Sequence, residues 1–392
     1  MSFFSLIKKN KYWYLYLLMM AFLLLKMARG VFGVVSQGGL WNGIQILFML
    51  IGISFFFSKY NNKLSPIGIL LFYSIWAMFV SLLNMFIHPI LSLSSWFYYI
   101  AIPCAPLVLL IFYCITQRED IYDFSVLIKM TYYVLIIMFY YSMTNYRTNS
   151  FYGEYIAFSD IYFPLALLPI VLLQTYSKRS FIPLLAMVIG VIVSGKRGGL
   201  VTVALIAFVY YFVSENRKKR NSFLMILVFA GLIAVSSFLI DIIDSNYGLH
   251  TIDRMMNAMD DGGSGRIIRW HKTLSAIGMS NMWELLFGHG FWAIFNLVKG
   301  RAHNDFVEIF YDYGFITVVL YSMFFLSLIT VNVLQYKKKY PKAKYLTCSI
   351  IVSLTLAMVS FFIVDPTYSL CSMFTTGLLL GDWSKYNMNN KL

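Results

Sequence analysis

Residues 181–213 read FIPLLAMVIGVIVSGKRGGLVTVALIAFVYYFV. Two apolar runs flank the turn Ser194-Gly195-Lys196-Arg197-Gly198-Gly199. As continuous helix the stretch would extend about 50 Å at about 1.5 Å per residue. That is barely two crossings of a hydrocarbon core about 30 Å thick. The two cations between the runs must then lie at, or below, the outer surface of a bilayer. Held there, they need a water-filled cavity or an anionic partner, because ionisable groups at that depth are costly. The glycines on either side let the backbone turn tightly and approach a ligand. The simpler alternative is a hairpin whose Lys196 and Arg197 reach up to lipid phosphate.

The rest of the chain extends the same reading. Of its 392 residues 60% are apolar and only 12% charged, with a mean hydropathy of +0.72. Roughly a quarter of a soluble domain is charged; half that share cannot cover a water-facing surface, so the chain is expected to face lipid. With about 20 apolar residues per crossing, spans fall at 12–28, 38–57, 64–87, 95–115, 126–144, 160–176, 181–194, 199–213, 222–243, 313–334, 345–364 and 368–381. The expectation is an all-α, polytopic integral membrane protein of about twelve transmembrane helices. It reads as a single membrane domain over residues 1–392. The opening MSFFSLIKKNK leads into an apolar run too long for a signal-peptide core, with no small-residue cleavage site after it, and reads as a retained first span.

A net charge of +14 would suggest nucleic acid in a soluble protein. Its distribution points elsewhere. With Lys8, Lys9 and Lys11 in the cytoplasm, the alternate loops on that side carry Lys59, Lys63, Arg118, Lys178, Arg179, the run Arg217 to Arg220, Lys337 to Lys339, Lys342, Lys344, Lys385 and Lys391. This is the positive-inside pattern, with both termini cytoplasmic and no nucleic-acid partner expected. In a bacterium the place is the inner membrane and the opposite side is the periplasm. Two segments face it, 145–159 and the much longer 244–312, a periplasmic loop expected to contain short helices and part of an active site. Cys104, Cys114, Cys348 and Cys371 lie in apolar stretches without metal-ligand spacing and read as buried small hydrophobes.

The long loop holds Gly262-Gly263-Ser264-Gly265-Arg266-Ile267-Ile268-Arg269-Trp270-His271-Lys272. Ser264 is a candidate N-cap. Arg266, Arg269 and Lys272 or Thr273 recur at helical spacing as a cationic stripe, beside an apolar stripe of Ile267, Trp270, Leu274 and Ile277. Such a helix would lie along a membrane surface, either attached to anionic lipid or gripping phosphate oxygens through its guanidinium groups. Further on stand Gly288-His289-Gly290-Phe291 and Arg301-Ala302-His303-Asn304-Asp305-Phe306. A helix is expected to begin there and run into the membrane, with Asp305, Glu308 and Asp312 on one face of its first turns, either functional or placed against the positive helix end. His303, beside Arg301 at the mouth of that helix, is a candidate catalytic or substrate-contacting residue.

In their order and spacing these motifs resemble the O-antigen polymerase and O-antigen ligase superfamily of bacterial envelope enzymes. The motifs are the turn from Ser194 to Leu200, Ser264-Gly265-Arg266 with Trp270, Gly288-His289-Gly290, and Ala302-His303-Asn304-Asp305-Phe306 with Gly314. The resemblance covers roughly the second half of the chain. It implies a C-type glycosyltransferase-like architecture with a periplasmic active site, a glycan on undecaprenyl pyrophosphate as donor, and no nucleotide sugar, metal or other cofactor. It also implies that Arg197, Arg266 and His303 are the catalytic set. Lys196 departs from the Ser often found at that place. Lys196, Arg269, Arg301, Asn304, Glu308 and Glu154 are the candidate substrate-binding residues, with Glu308 and Glu154 also rival bases to His303.

The expected activity is polymerisation of lipid-linked polysaccharide repeats, as an O-antigen polymerase in lipopolysaccharide biosynthesis. Partners would be lipid-linked glycans, membrane lipids and a chain-length regulator. Two alternatives stand beside it: a ligase that moves the glycan onto a lipid A core, and a lipid-linked oligosaccharide flippase. Flippases are built from related halves, which this sequence lacks.

Overall fold

The computed structural model describes residues 11–32, 65–87, 105–149, 159–175, 181–194, 196–212, 266–359 and 366–390, with isolated positions between 43 and 54. All regular structure among these residues is helical. We number the helices α1 (Trp13–Phe32), α2 (Ser65–Ile87), α3 (Val108–Thr116), α4 (Ser125–Asn149), α5 (Tyr162–Gln174), α6 (Phe181–Ser194) and α7 (Arg197–Phe212). Then follow α8 (Arg266–Gly278), α9 (Met282–Phe287), α10 (Ala293–Val298), α11 (Asp305–Lys337), α12 (Ala343–Val359) and α13 (Pro366–Asn389).

Stretches within α2 (Pro66–Met85), α4 (Ser125–Met143) and α11 (Asp305–Lys337) are long and apolar enough to cross a membrane, and six shorter apolar helices accompany them. Their outward faces carry Phe72, Ile75, Met130, Ile137, Phe208 and Leu326, all more than half exposed. A water-soluble fold hides such side chains; lipid accommodates them. The expected spans at 64–87, 126–144, 160–176, 181–194 and 199–213 coincide with helices to within a few residues. The last expected span, 368–381, is too short: α13 extends from Pro366 to Asn389. The spans at 38–57 and 222–243 fall almost wholly outside the described residues.

Helices pack here by the small-residue and hydroxyl logic of membrane interiors, where apolar burial alone supplies little drive. Gly377 and Gly381, one turn apart on α13, bring it against the backbone of α3: a Cβ at either position would sit 2.5 Å from a carbonyl oxygen, of Leu109 and Tyr113 respectively. Between α12 and α13, Ser353 meets Ser372 at 2.7 Å and Ser349 meets Thr376 at 2.9 Å. Cys114, Cys348 and Cys371 are buried, as expected; Cys104 lies outside the described residues.

The feature that places the site is a sharp bend in α11. Gly314 leaves the helix at φ 83, ψ 175. In a straight helix Asp305 and Tyr321 would stand about 24 Å apart. Instead the Tyr321 hydroxyl donates to Asp305 Oδ2 at 3.0 Å, and the Phe306 ring lies 5.2 Å from Tyr321 and 6.4 Å from Phe325. The arms 305–313 and 315–337 therefore close into a V. This corrects the expectation of a helix running directly inward from Asp305: the first arm leads to the bend, and the span begins after it, near the expected 313–334.

Helix α9 and the turn after it lock the bend. Gly314 faces the Leu286 carbonyl, and Gly288, at φ 78, faces that of Asp312, each so closely that a Cβ would overlap backbone atoms. The first arm ends with carbonyls that have no partner in the helix. His289 N–H donates to Tyr311 O at 2.9 Å and Gly290 N–H to Asp312 O at 3.1 Å. Asn84, at the end of α2, donates its amide to Phe287 O at 3.0 Å and ties the turn to the bundle.

Candidate active site

The site forms where the loop 299–304 enters the first arm of α11. Asn304 is the N-cap, its side chain accepting from Val307 N–H at 3.2 Å, worth about 1 kcal/mol to a helix. His303 precedes it in the left-handed region at φ 59, a conformation that a non-glycine residue holds only against a cost. Glu308 offsets that cost. Buried one turn into the arm, it accepts the His303 backbone N–H on Oε1 at 3.0 Å, and its Oε2 lies 3.6 Å from the Arg301 guanidinium.

Helix α8 crosses over this loop. Arg269 donates to the Arg301 carbonyl at 3.0 Å and Trp270 Nε1 to the Ala302 carbonyl at 2.7 Å. Two neighbouring residues of the helix thus hold two neighbouring carbonyls, and this register sets Arg266, one turn earlier on the same face, toward His303. The two expected stripes on α8 are corrected accordingly. Arg269, Trp270, Thr273 and Ile277 share the inward face, while Ile267, Ile268 and Leu274 are exposed. The guanidinium groups turn into the protein with the tryptophan, not away from it.

His303 is pulled down to about 3 from an ordinary value near 6.5, first by burial and then by the positive charges of Arg266, Arg269, Lys196 and Arg301. Both causes oppose a further positive charge. The imidazole is therefore neutral throughout the physiological range. Its environment is a convergence of four cations from three separated stretches of sequence: the turn before α7, helix α8 and the loop before α11. Lys196 reaches this cluster from a turn held by its own N–H donating to the buried Ser194 Oγ at 3.3 Å.

Five sequence candidates, Lys196, Arg266, Arg269, Arg301 and His303, are brought together. Glu308 and Asn304 adjoin them in supporting roles. The Arg197 backbone opens α7 directly after Lys196; its side chain, and the whole of Glu154, lie outside the described residues. The three acids of the first arm are all buried and each is engaged: Asp305 with Tyr321, Glu308 with His303, and Asp312 with the N–H groups of Trp292 (3.2 Å) and Ile294 (2.9 Å) at the start of α10. Placement against a positive helix end holds for Asp312, though the helix is α10 rather than its own. Trp292, whose ring lies 5.2 Å from Arg301 Cζ, has no periodicity or motif to mark it in the sequence.

Residues 182–322 match the family model described as O-antigen ligase. The match spans about a third of the chain and supports a likeness to the O-antigen ligase and polymerase superfamily over that segment. No curated protein matches. The ligase-type domain begins in α6 and ends within the second arm of α11, so it contains every residue of the cationic cluster together with His303 and Glu308. It supports a membrane glycosyltransferase-like enzyme of polysaccharide biosynthesis, with O-antigen ligase- or polymerase-type activity.

Proposed function

We propose that the protein is an inverting glycosyltransferase of about twelve membrane spans that polymerises lipid-linked polysaccharide repeats on the periplasmic face of the inner membrane. The donor is the growing glycan on undecaprenyl pyrophosphate; the acceptor is a hydroxyl of a second lipid-linked repeat. That hydroxyl attacks the anomeric carbon from the face opposite the pyrophosphate. The carbon–oxygen bond to phosphate breaks, the undecaprenyl pyrophosphate departs with the electron pair, and the hydroxyl proton passes to a base. A pyrophosphate leaving group needs charge stabilisation more than protonation, and preorganised cations provide it as negative charge develops.

The observation that carries this reading is a neutral imidazole set among Arg266, Arg269, Lys196 and Arg301. An imidazole depressed this far is a poor base in the empty site. Two phosphate charges entering the cluster offset the cations' share of that depression and raise its basicity, while burial still opposes it. His303 then accepts the acceptor's proton only when the donor is in place. Glu308, already engaged by the His303 backbone and Arg301, positions this base. Arg197, next to Lys196 in sequence, is assigned to the same phosphate grip.

The ligase reading is favoured by the description of the matching family. Electrophoresis of lipopolysaccharide from a deletion strain separates the two: core bearing one repeat identifies the polymerase, bare core the ligase. Transport of labelled lipid-linked repeat with no growth in chain length would overturn both in favour of a flippase.

A further inference from the structure

Trp292 and Phe295 are among the most exposed aromatic side chains of the segment that builds the site, at 37% and 41%. Their rings lie 5.3 Å apart, tilted by 31°. The position is built. Trp292 stands in the left-handed region at φ 62, where a bulky residue persists only if its surroundings enforce it. Enforcement comes from Asp312, fully engaged with the Trp292 and Ile294 N–H groups, and from Arg301 at the Trp292 ring. Arg301 in turn lies against Glu308, which holds His303. A continuous set of contacts thus joins the exposed aromatic pair to the cationic cluster.

The first arm of α11 gives the spacing. His303 adjoins its Asp305 end and Trp292 its Asp312 end, seven residues along, or about 10 Å of helix, the span of a short saccharide. The lipid tail and the sugars of a lipid-linked glycan must leave the pyrophosphate in opposite directions. Trp292, with Phe295 beside it, stands at the bend end of the first arm, through Asp312.

We infer that Trp292 and Phe295 form a stacking platform for pyranose rings of the lipid-linked glycan, one or a few sugars from the reacting carbon. The C–H-rich face of a pyranose packs on an aromatic ring without requiring a hydrogen-bonding code, and two large, stiff rings offer that contact at low entropic cost. The platform rests on the glycosyltransferase reading and extends it to saccharide recognition. Pyranose rings of either the donor or the acceptor could occupy it.

The test uses the full chain in lipid nanodiscs. One probe is the two-repeat oligosaccharide released by mild acid from the surface polysaccharide of the strain that encodes the protein, with binding read by saturation-transfer NMR. Inorganic pyrophosphate is titrated separately. Trp292→Ala and Phe295→Ala should each weaken oligosaccharide binding about five- to tenfold, the scale of one lost ring contact, with Phe295→Ala leaving pyrophosphate affinity unchanged. Arg266→Ala should do the reverse. Phe295 is exposed, so its truncation keeps the test valid even if Trp292→Ala misfolds. Oligosaccharide affinity unchanged in Phe295→Ala and in any folded Trp292→Ala overturns the platform and leaves the pyrophosphate site standing. Oligosaccharide binding without pyrophosphate binding in the parent protein sinks the transferase site and retains the platform. In turnover assays, a rise in KM for donor or for acceptor supports the platform and names the glycan that rests on it.

Discussion

Two histidines of the 266–312 segment sit in turns that the sequence marks about equally, and their surroundings differ in kind. The His289 ring meets the Ser280 hydroxyl at 2.8 Å, faces the Glu284 carboxylate at 3.8 Å and stacks on Tyr311 at 4.3 Å. Its backbone N–H caps Tyr311 O. The His303 ring faces cations, and its carboxylate neighbour Glu308 engages the backbone. The first histidine is spent on the fold; the second is held strained and neutral in a positively charged recess. The contrast teaches that charge neighbourhood, more than residue type or motif prominence, tells these two imidazoles apart.

The comparison is broken most severely by removing the charge that distinguishes the two. Arg266→Ala should lower the polymerisation rate by about a hundredfold or more, the usual consequence of deleting one preorganised charge donor. The measurement is chain length on gels from a strain whose only copy is the variant, with membrane insertion checked by immunoblot. Arg197→Ala should match it, and Arg266→Lys should not restore full length, because a lysine lacks the planar two-pronged grip. Full-length chains in both alanine variants would contradict the cationic account.

A paired substitution sharpens it. His303→Asn should cost about a hundredfold in turnover if it accepts a proton. His289→Asn should leave turnover within a few-fold and lower the thermal midpoint instead, since it disturbs the turn that locks α11. Equal losses of turnover would erase the distinction. The lock itself is probed by Gly314→Ala, in which a new Cβ meets the Leu286 carbonyl at a positive φ. Strain of about 1–3 kcal/mol should reduce both stability and turnover, and a thermal melt identical to the parent would argue against the V.

The smallest effect is on acid stability. The His303 value of about 3 in the fold lies below the roughly 6.5 of an unfolded chain. As pH falls, the unfolded chain takes up this proton first. The contribution from neutral His303 is therefore present above about pH 6.5 and is lost progressively toward pH 3. His303→Asn should flatten that part of the acid limb in thermal melts between pH 7 and 4.5; an unchanged slope would place the imidazole in a neutral setting.

Much of this was legible in sequence because the physics was local. Apolar run length marked α2, α6 and α7 to within about two residues, and Lys196, Arg266, Arg269, Arg301 and His303 were each marked in the sequence, whereas their meeting was expected only through the family resemblance. The bend at Gly314 was not legible, since a glycine in an apolar helix carries no period of its own; the backbone of Leu286 and Phe287, held against it from another stretch, leaves no room for a Cβ there. The face that α8 buries was misjudged for a related reason. Trp270 and Arg269 are chosen for the carbonyls of Ala302 and Arg301, and helical spacing alone separates them into polar and apolar stripes. Trp292 depends wholly on Asp312 and Arg301, which no local pattern announces.

The most direct measurement is the titration of His303 by NMR in the nanodisc-embedded protein, with imidazole resonances assigned by substituting the four other histidines in turn. Without ligand the ring should remain neutral down to about pH 4 or below, and added inorganic pyrophosphate should raise its midpoint. A His303 midpoint near 6.5 that pyrophosphate does not move would contradict the account.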